Sequence, residues 1–161
     1  MSFRDKLLSW EMLPAWRAAQ RRLGRRLVAT NGCFDLLHLG HATCLEAARR
    51  LGDALLVGVN GDASVRALKG PARPINSERD RALLVAALGC VDAVCVFPEP
   101  SAAEFLRRAQ PDVWAKGGDY TLESLDQTER RVVEMAGGRI AFIPFVAGKS
   151  TTALLARAGA G

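Results

Sequence analysis

Leu27-Val28-Ala29-Thr30-Asn31-Gly32-Cys33-Phe34-Asp35-Leu36-Leu37-His38-Leu39-Gly40-His41 is the stretch on which the fold turns. Leu27–Thr30 is an apolar run and reads as a buried strand. A polar, glycine-bearing turn follows, and a helical pattern then runs from Leu39 to about Leu51, stopping near Gly52. The next run, Ala54–Val59, is continuously apolar, as expected of a strand covered on both faces. Strand, helix and strand in this order form a crossover unit of a parallel sheet.

The same alternation continues outward. Asp62–Leu68 reads as a short helix, and Lys69–Asn76, with Gly70, Pro71 and Pro74, as a loop. Ser77 opens a helix to about Leu88, and Asp80 completes a capping box. Ala93–Phe97 is a third strand. Ser101 and Glu104 form a second capping box, opening a helix to about Ala109. Asp112–Ala115 is a fourth strand, followed by a loop over Lys116–Tyr120 and a helix over Gln127–Ala136 that Gly137 and Gly138 close. Arg139–Ile143 is a fifth strand, and a last helix begins near Ser150. Upstream, Trp10, Leu13, Trp16 and Leu23 recur near helical spacing. The pattern predicts a leading helix over Ser9–Leu23, with Ser9 as its N-cap and Gly24 as its stop. The expected fold is α/β: a Rossmann-like, doubly wound, parallel five-stranded sheet with helices on both faces. Ligands of such sheets bind beyond the carboxyl ends of the strands.

The chain has 161 residues, 49% apolar and 24% charged, which fits one globular domain and excludes a disordered chain or a small disulfide scaffold. The longest apolar run, Ala82–Val91, is about half of the ~18 residues a membrane helix needs. The opening MSFRDKLLSWEML mixes charges into its apolar residues and offers no secretory h-region. A cytoplasmic protein with reduced thiols at Cys33, Cys44, Cys90 and Cys95 is the expectation. The net charge is +5 and arginine dominates it. Such a charge suits either a solvated surface or an anionic partner.

The two histidines of the chain, His38 and His41, stand three apart at the predicted start of a helix. Gly40 between them lets a phosphate approach the backbone. Imidazoles and helix amides together can stabilise charge on a phosphoryl group. Cys33, His38, His41 and Cys44 are zinc-ligand types, but their spacing is not that of a structural zinc site. Gly148-Lys149-Ser150-Thr151 ends like a P-loop, yet Ile143 stands where that loop requires its first glycine. What remains there is a cluster of hydroxyls, Ser150, Thr151 and Thr152, at a helix start. Lys116-Gly117-Gly118-Asp119-Tyr120 offers a flat backbone for a base or ribose, and Lys69 with Arg73 could clamp anionic oxygens. No GxGxxG, no serine–histidine–acid set and no carboxylate cluster for two metals occurs.

Taken in order, Thr30-Asn31-Gly32-Cys33-Phe34-Asp35-Leu36-Leu37-His38, Gly40-His41, Gly58-Val59-Asn60, Leu68-Lys69-Gly70, Arg73-Pro74-Ile75-Asn76, Lys116-Gly117-Gly118-Asp119-Tyr120 and Ser150-Thr151-Thr152 resemble the HxGH nucleotidyltransferases. The branch they resemble most makes ADP-heptose from heptose 1-phosphate for the lipopolysaccharide core, and occurs also as the second domain of a bifunctional heptose kinase/adenylyltransferase. The resemblance spans residues 27–157, a catalytic core following an N-terminal extension over 1–24. It implies that a sugar 1-phosphate attacks the α-phosphorus of ATP and that pyrophosphate leaves, with Mg²⁺ held by the triphosphate and no metal ligated by the chain. His38, His41 and Lys69 would be catalytic. Thr30, Asn31, Gly32, Phe34, Gly40, Lys116, Gly117, Asp119, Ser150 and Thr151 would contact the nucleotide. Asp35, Asn60 and Arg73 would shape the sugar-phosphate side. A homodimer is implied, without a nucleic-acid or membrane partner.

Gly61, Cys44, Trp114 and Lys149 depart from the common pattern, the last two near the expected base and phosphate contacts. A glycerol-3-phosphate-type cytidylyltransferase is the neighbouring alternative. That branch favours a GTFD-like opening, against Asn31-Gly32-Cys33-Phe34-Asp35 here, and an RTEG-like stretch, against Val146-Ala147-Gly148-Lys149. A nucleic-acid module built on Arg21, Arg22, Arg25 and Arg26 would lack interleaved aromatics.

Overall fold

The structure, a computed structural model, describes residues 2–144 and 146–159. Six parallel strands form one sheet: β1 (Leu7–Leu8), β2 (Leu27–Gly32), β3 (Ala54–Asn60), β4 (Ala93–Phe97), β5 (Val113–Gly117) and β6 (Arg139–Ile143), in the order β1-β4-β3-β2-β5-β6. The α/β doubly wound arrangement is as expected, with one strand more. Two-residue β1 pairs Leu7 with Val94 and Leu8 with Cys95 at the edge of the sheet. It is too short to carry a period of its own, so the sequence pattern missed it.

The helices are α1 (Leu13–Arg22), α2 (Leu39–Arg49), α3 (Asp62–Lys69), α4 (Glu78–Ala86), α5 (Ala103–Ala109), α6 (Gln127–Met135) and α7 (Thr151–Ala158). Strand residues alternate between two cores. Leu27, Ala29, Leu56 and Trp114 face a layer containing Leu13 of α1, Phe105 of α5 and Val133 of α6. Val28, Leu55, Val57 and Ala115 face Leu45 of α2 and Val85 of α4. Burial on both faces explains the continuous apolar strand runs.

Several ends differ from expectation. The leading helix starts at Leu13, not Ser9: Pro14 takes an early helical position, and the Ser9 hydroxyl accepts from the Met12 amide in the preceding turn. The helix packs on its own domain. Leu13 is fully buried, and Arg17 binds Asp112 at 3.0 Å. α3 runs through Lys69, which therefore closes a helix and does not lie in the loop. β5 continues through Lys116 and Gly117, which pair with Phe142 and Ile143. α4 ends at Ala86, short of Leu88. The Ser101–Glu104 capping box does not form. Glu104 pairs with Arg107 and Arg108, and Glu129 of α6 accepts the Ala102 amide at 2.7 Å. A tertiary carboxylate thereby does what a local one was expected to do.

Candidate active site

From β2 the chain winds to β3 and β4 on one side and to β5 and β6 on the other. The reversal leaves a crevice beyond the carboxyl ends of β2 and β5. The turn after β2, the end of β5 and the segment between β6 and α7 meet there. One cavity of about 290 Å³ is lined by residues of all three, among them His38, His41, Gly117, Lys149, Ser150 and Thr151. A neighbouring cavity of about 470 Å³ carries His41, Asp35, Arg73, Lys69, Lys116 and Thr152.

His38 is the N-cap of α2 in extended backbone, and its carbonyl accepts the His41 amide at 3.0 Å. One helical turn thus lays the two rings together, centroids 3.8 Å apart and 27° from parallel. Phe34, held at φ +49°, backs the His41 ring at 5.2 Å. Gly40 is needed at this turn: a Cβ there would stand 2.9 Å from the His38 ring and 3.2 Å from Lys149 Cβ. The Nδ1 atoms of His38 and His41 are buried and have no hydrogen-bond partner among the described residues. Burial, then the neighbouring His38, pushes the His41 imidazole down to about 4. Burial, then Lys149, lowers His38 as well. Both rings are therefore neutral at pH 7 in the free protein, stacked and without polar partners. An incoming phosphate would supply both a hydrogen-bond acceptor and the negative charge that favours their protonated forms.

Asp35, three residues before His38, is committed instead. Its carboxylate is 2% exposed and accepts from Arg73 Nε at 2.5 Å, the Ile75 amide at 2.9 Å and the Asn76 amide at 3.0 Å, while Asn76 Nδ2 donates to its carbonyl at 2.8 Å. Burial alone would raise this carboxyl; the two amides and the guanidinium outweigh it and hold it below the ordinary carboxylate range. Arg81, fully buried, completes the clasp. It donates to Asn76 O at 3.0 Å, Cys33 O at 2.6 Å and Asp62 Oδ1 at 2.8 Å. Sequence reasoning missed Arg81. Its one signal is a charged residue beside Ala82 and Val85 on the buried stripe of α4.

The remaining expected residues fall in three groups. Thr30, Asn31, Gly32 and Phe34 line a third cavity of about 180 Å³ beside His41. Asn31 Oδ1 accepts from Trp114 Nε1 at 3.0 Å, so the unusual tryptophan orients this asparagine. Gly117 lies against the Cys44 thiol, which occupies the space a Cβ would need. The Lys116 ammonium sits 5.0 Å from the Trp114 ring and 4.7 Å from the Tyr120 ring. Burial lowers its pKa against the pull of Glu129 and Asp126. Ser150 caps α7, accepting from the Ala153 amide at 3.0 Å, and the Thr151 hydroxyl donates to Leu36 O at 3.5 Å. Two positions lie apart from these cavities. Asn60 is buried on β3 and donates to Ser64 at 2.8 Å, and Asp119 is exposed beyond β5.

Lys69, Arg73, Lys116 and Lys149 make the two main cavities cationic, and the one carboxylate there, Asp35, is spent on the clasp. Among the described residues no group of three or more His, Cys, Asp or Glu converges to hold a metal, so Cys33, His38, His41 and Cys44 do not form one. Imidazoles, ammonium groups and helix N-termini are suited to a polyphosphate.

A cytidylyltransferase-like family model matches residues 29–152. The chain belongs to this family. The matched stretch begins on β2 and ends on the first turn of α7, so it takes in the whole of the crevice. The chain is similar to the bifunctional protein HldE of Trichlorobacter lovleyi, at 51% identity over 94% of this chain and 30% of that protein. It is similar also to the bifunctional protein HldE of Streptomyces coelicolor, at 52% identity over 84% of this chain and 29% of that protein. The chain spans about a third of the length of these curated relatives. A crystal structure of the lipopolysaccharide core biosynthesis protein from Thermoplasma volcanium superimposes with a TM-score of 0.63 and 28% identity, covering 76% of this chain and 98% of that one. No helix among the described residues is long and apolar enough to cross a membrane.

Proposed function

We propose that the chain is a nucleotidyltransferase that joins ATP to D-glycero-β-D-manno-heptose 1-phosphate, giving ADP-heptose and pyrophosphate for lipopolysaccharide core synthesis. The observation that carries the reading is the stacked His38–His41 pair, with buried unpartnered nitrogens at the N-terminus of α2 and cations around it. The names of the relatives support the heptose branch, since the HxGH resemblance makes this chain the counterpart of the adenylyltransferase half of a bifunctional enzyme.

In this reading an oxygen of the sugar phosphate attacks the α-phosphorus of ATP. The bond from that phosphorus to the β-bridging oxygen breaks, and pyrophosphate departs with the electron pair. His38 and His41 bind the phosphates as charge develops on them. The helix start at Ser150 and Thr151 receives the departing phosphates, and Lys69, at the end of α3 on the wall of both cavities, neutralises their charge. Lys116 and Gly117 lie toward base and ribose, with Thr30, Asn31, Gly32 and Phe34 beneath, and Asp119, exposed beyond β5, would have to approach from outside the cavities. Arg73 shapes the acceptor side, with Asp35 holding it in place, while Asn60, expected there, is buried behind the cavities and bonded to Ser64. The chemistry is positioning and charge stabilisation. Side chains here fit a triphosphate that brings its own Mg²⁺, because the single carboxylate on the cavity walls is already taken. Bound in that way, Mg²⁺ would neutralise phosphate charge. A cytoplasmic homodimer belongs to the same proposal: the free thiols suit a reducing compartment, and exposed Leu39, Leu84 and Ile75 offer apolar contact surface.

The test is pyrophosphate release from heptose 1-phosphate and Mg²⁺, with ATP and CTP in parallel. Release with ATP and not CTP is expected. Release with CTP alone overturns the base, and release with neither overturns the sugar.

A further inference from the structure

A cavity of about 440 Å³ lies between α1 and α5, away from the crevice. Arg21 and Arg22 end α1 just before β2, and Gln110 precedes β5, which places it by the amino ends of the strands. Five arginines line it: Arg17, Arg21, Arg22, Arg107 and Arg108. Two carboxylates form ion pairs with them, and Glu11 also feels the charge of Arg108. Glu104 pairs with Arg107 and Arg108, and Asp112 with Arg17. Arg21 and Arg22 are exposed and have no ion-pair partner among the described residues.

Arg17 is the informative member. It is 3% exposed, and its Nε and Nη2 donate at 3.0 Å each to Gln110 O and Asp112 Oδ1. Its Nη1 is buried and has no partner among the described residues. A buried guanidinium donor left unpaired is costly, and native proteins retain few. Even with Glu11 counted beside Glu104 and Asp112, five arginines leave the groove with surplus positive charge as well as this orphan donor. Guanidinium forks match phosphate oxygens in a bidentate way, and several converging on one groove suit more than one phosphate. Pro14 and Ala18 add apolar wall beside the arginines. No aromatic side chain lines the groove and Arg25 and Arg26 lie outside it, so the stacking platform of a single-stranded nucleic-acid site is missing.

We propose that this groove is a second anion site, separate from the catalytic crevice, that takes a diphosphate group, either free pyrophosphate or the diphosphate of a nucleotide. The site stands independently of the heptose assignment.

The experiment follows the Arg17 Nε–Hε and Gln110 amide NMR signals of the full chain during titration with inorganic pyrophosphate and, separately, ADP. A double variant, Arg21→Gln with Arg22→Gln, alters exposed side chains outside the crevice and is titrated in the same way. Saturable shifts at Arg17 and Gln110 are expected, with affinity about tenfold or more weaker in the double variant. The responses of His38 and His41 should be the same in both proteins. Equal affinity for the two ligands identifies the diphosphate itself as the recognised group; tighter ADP binding assigns the Pro14–Ala18 wall to the nucleoside. Signals that stay still up to about 10 mM ligand, well beyond a specific affinity, overturn the proposal. So do shifts unchanged by the double variant, or shifts caused by a single-stranded oligonucleotide and by neither diphosphate.

Discussion

Asp35 and His38 are three residues apart on one turn, yet they stand in opposite polar conditions. The Asp35 carboxylate accepts from Arg73 and two backbone amides, and Arg81 ties the same loop to Cys33 and Asp62. His38 and His41 are half-buried, stacked at 3.8 Å, with Nδ1 atoms that have no hydrogen-bond partner among the described residues. A fully satisfied buried network is scaffold: it fixes the shape of the loop and gains nothing from a ligand. Buried nitrogens without partners are costly in the free protein, and that cost is recovered when an acceptor arrives. The contrast separates what holds the site from what acts in it.

The contrast can be broken most strongly at the clasp. Asp35→Ala leaves Arg73 and two amides without their acceptor and should cost about 3–5 kcal/mol of stability, as breaking a buried pair does. Urea unfolding would show it, and an unchanged midpoint would mean that the clasp is idle. His41→Ala should do the reverse. Turnover should fall about 10²–10³-fold, as on loss of a transition-state donor, with thermal stability nearly kept. A large loss of stability with normal turnover in the folded fraction would make the pair structural.

Gly40→Ala sharpens the distinction. Its Cβ would press on the His38 ring while alanine favours the helix. Activity should drop about tenfold, as expected for a slightly misplaced catalytic group, with little change in melting temperature. The smallest effect is on pH. An unfolded histidine titrates near 6.5 and native His41 near 4, so the native state binds fewer protons between these values. The contribution of His41 to stability is complete above about pH 6.5 and is lost as pH falls toward 4. His41→Gln should flatten that part of the stability profile, whereas the Asp35 contribution is lost only at lower pH, because its carboxyl is held below the ordinary range.

Much of this site was legible in the chain. His38, Gly40 and His41 occur at a spacing that only a helix start turns into stacked rings, and the glycine is required by the His38 ring itself. β2 to β5 each carry an apolar run, readable because both faces of the sheet are covered there, while β6 is only partly buried and was readable from residues 140–143. What stayed hidden is what depends on distant partners. β1 exists only through its pairing with β4, and the start of α5 is served by Glu129 from α6. Arg81 resembles any charged helix residue until the three acceptors around it are seen. Asp35 was expected on the sugar-phosphate side, but its commitment to the clasp was not legible.

The central claim is that His38 and His41 are held neutral and unpartnered for a phosphate. Because the chain has two histidines, ¹⁵N NMR can titrate both rings without ambiguity. The measurement is made with and without Mg²⁺ and a non-hydrolysable ATP analogue. The account predicts that the His41 pKa rises from about 4 on nucleotide binding and that ring nitrogens shift to hydrogen-bonded positions. Titration curves that coincide with and without a saturating nucleotide would contradict it.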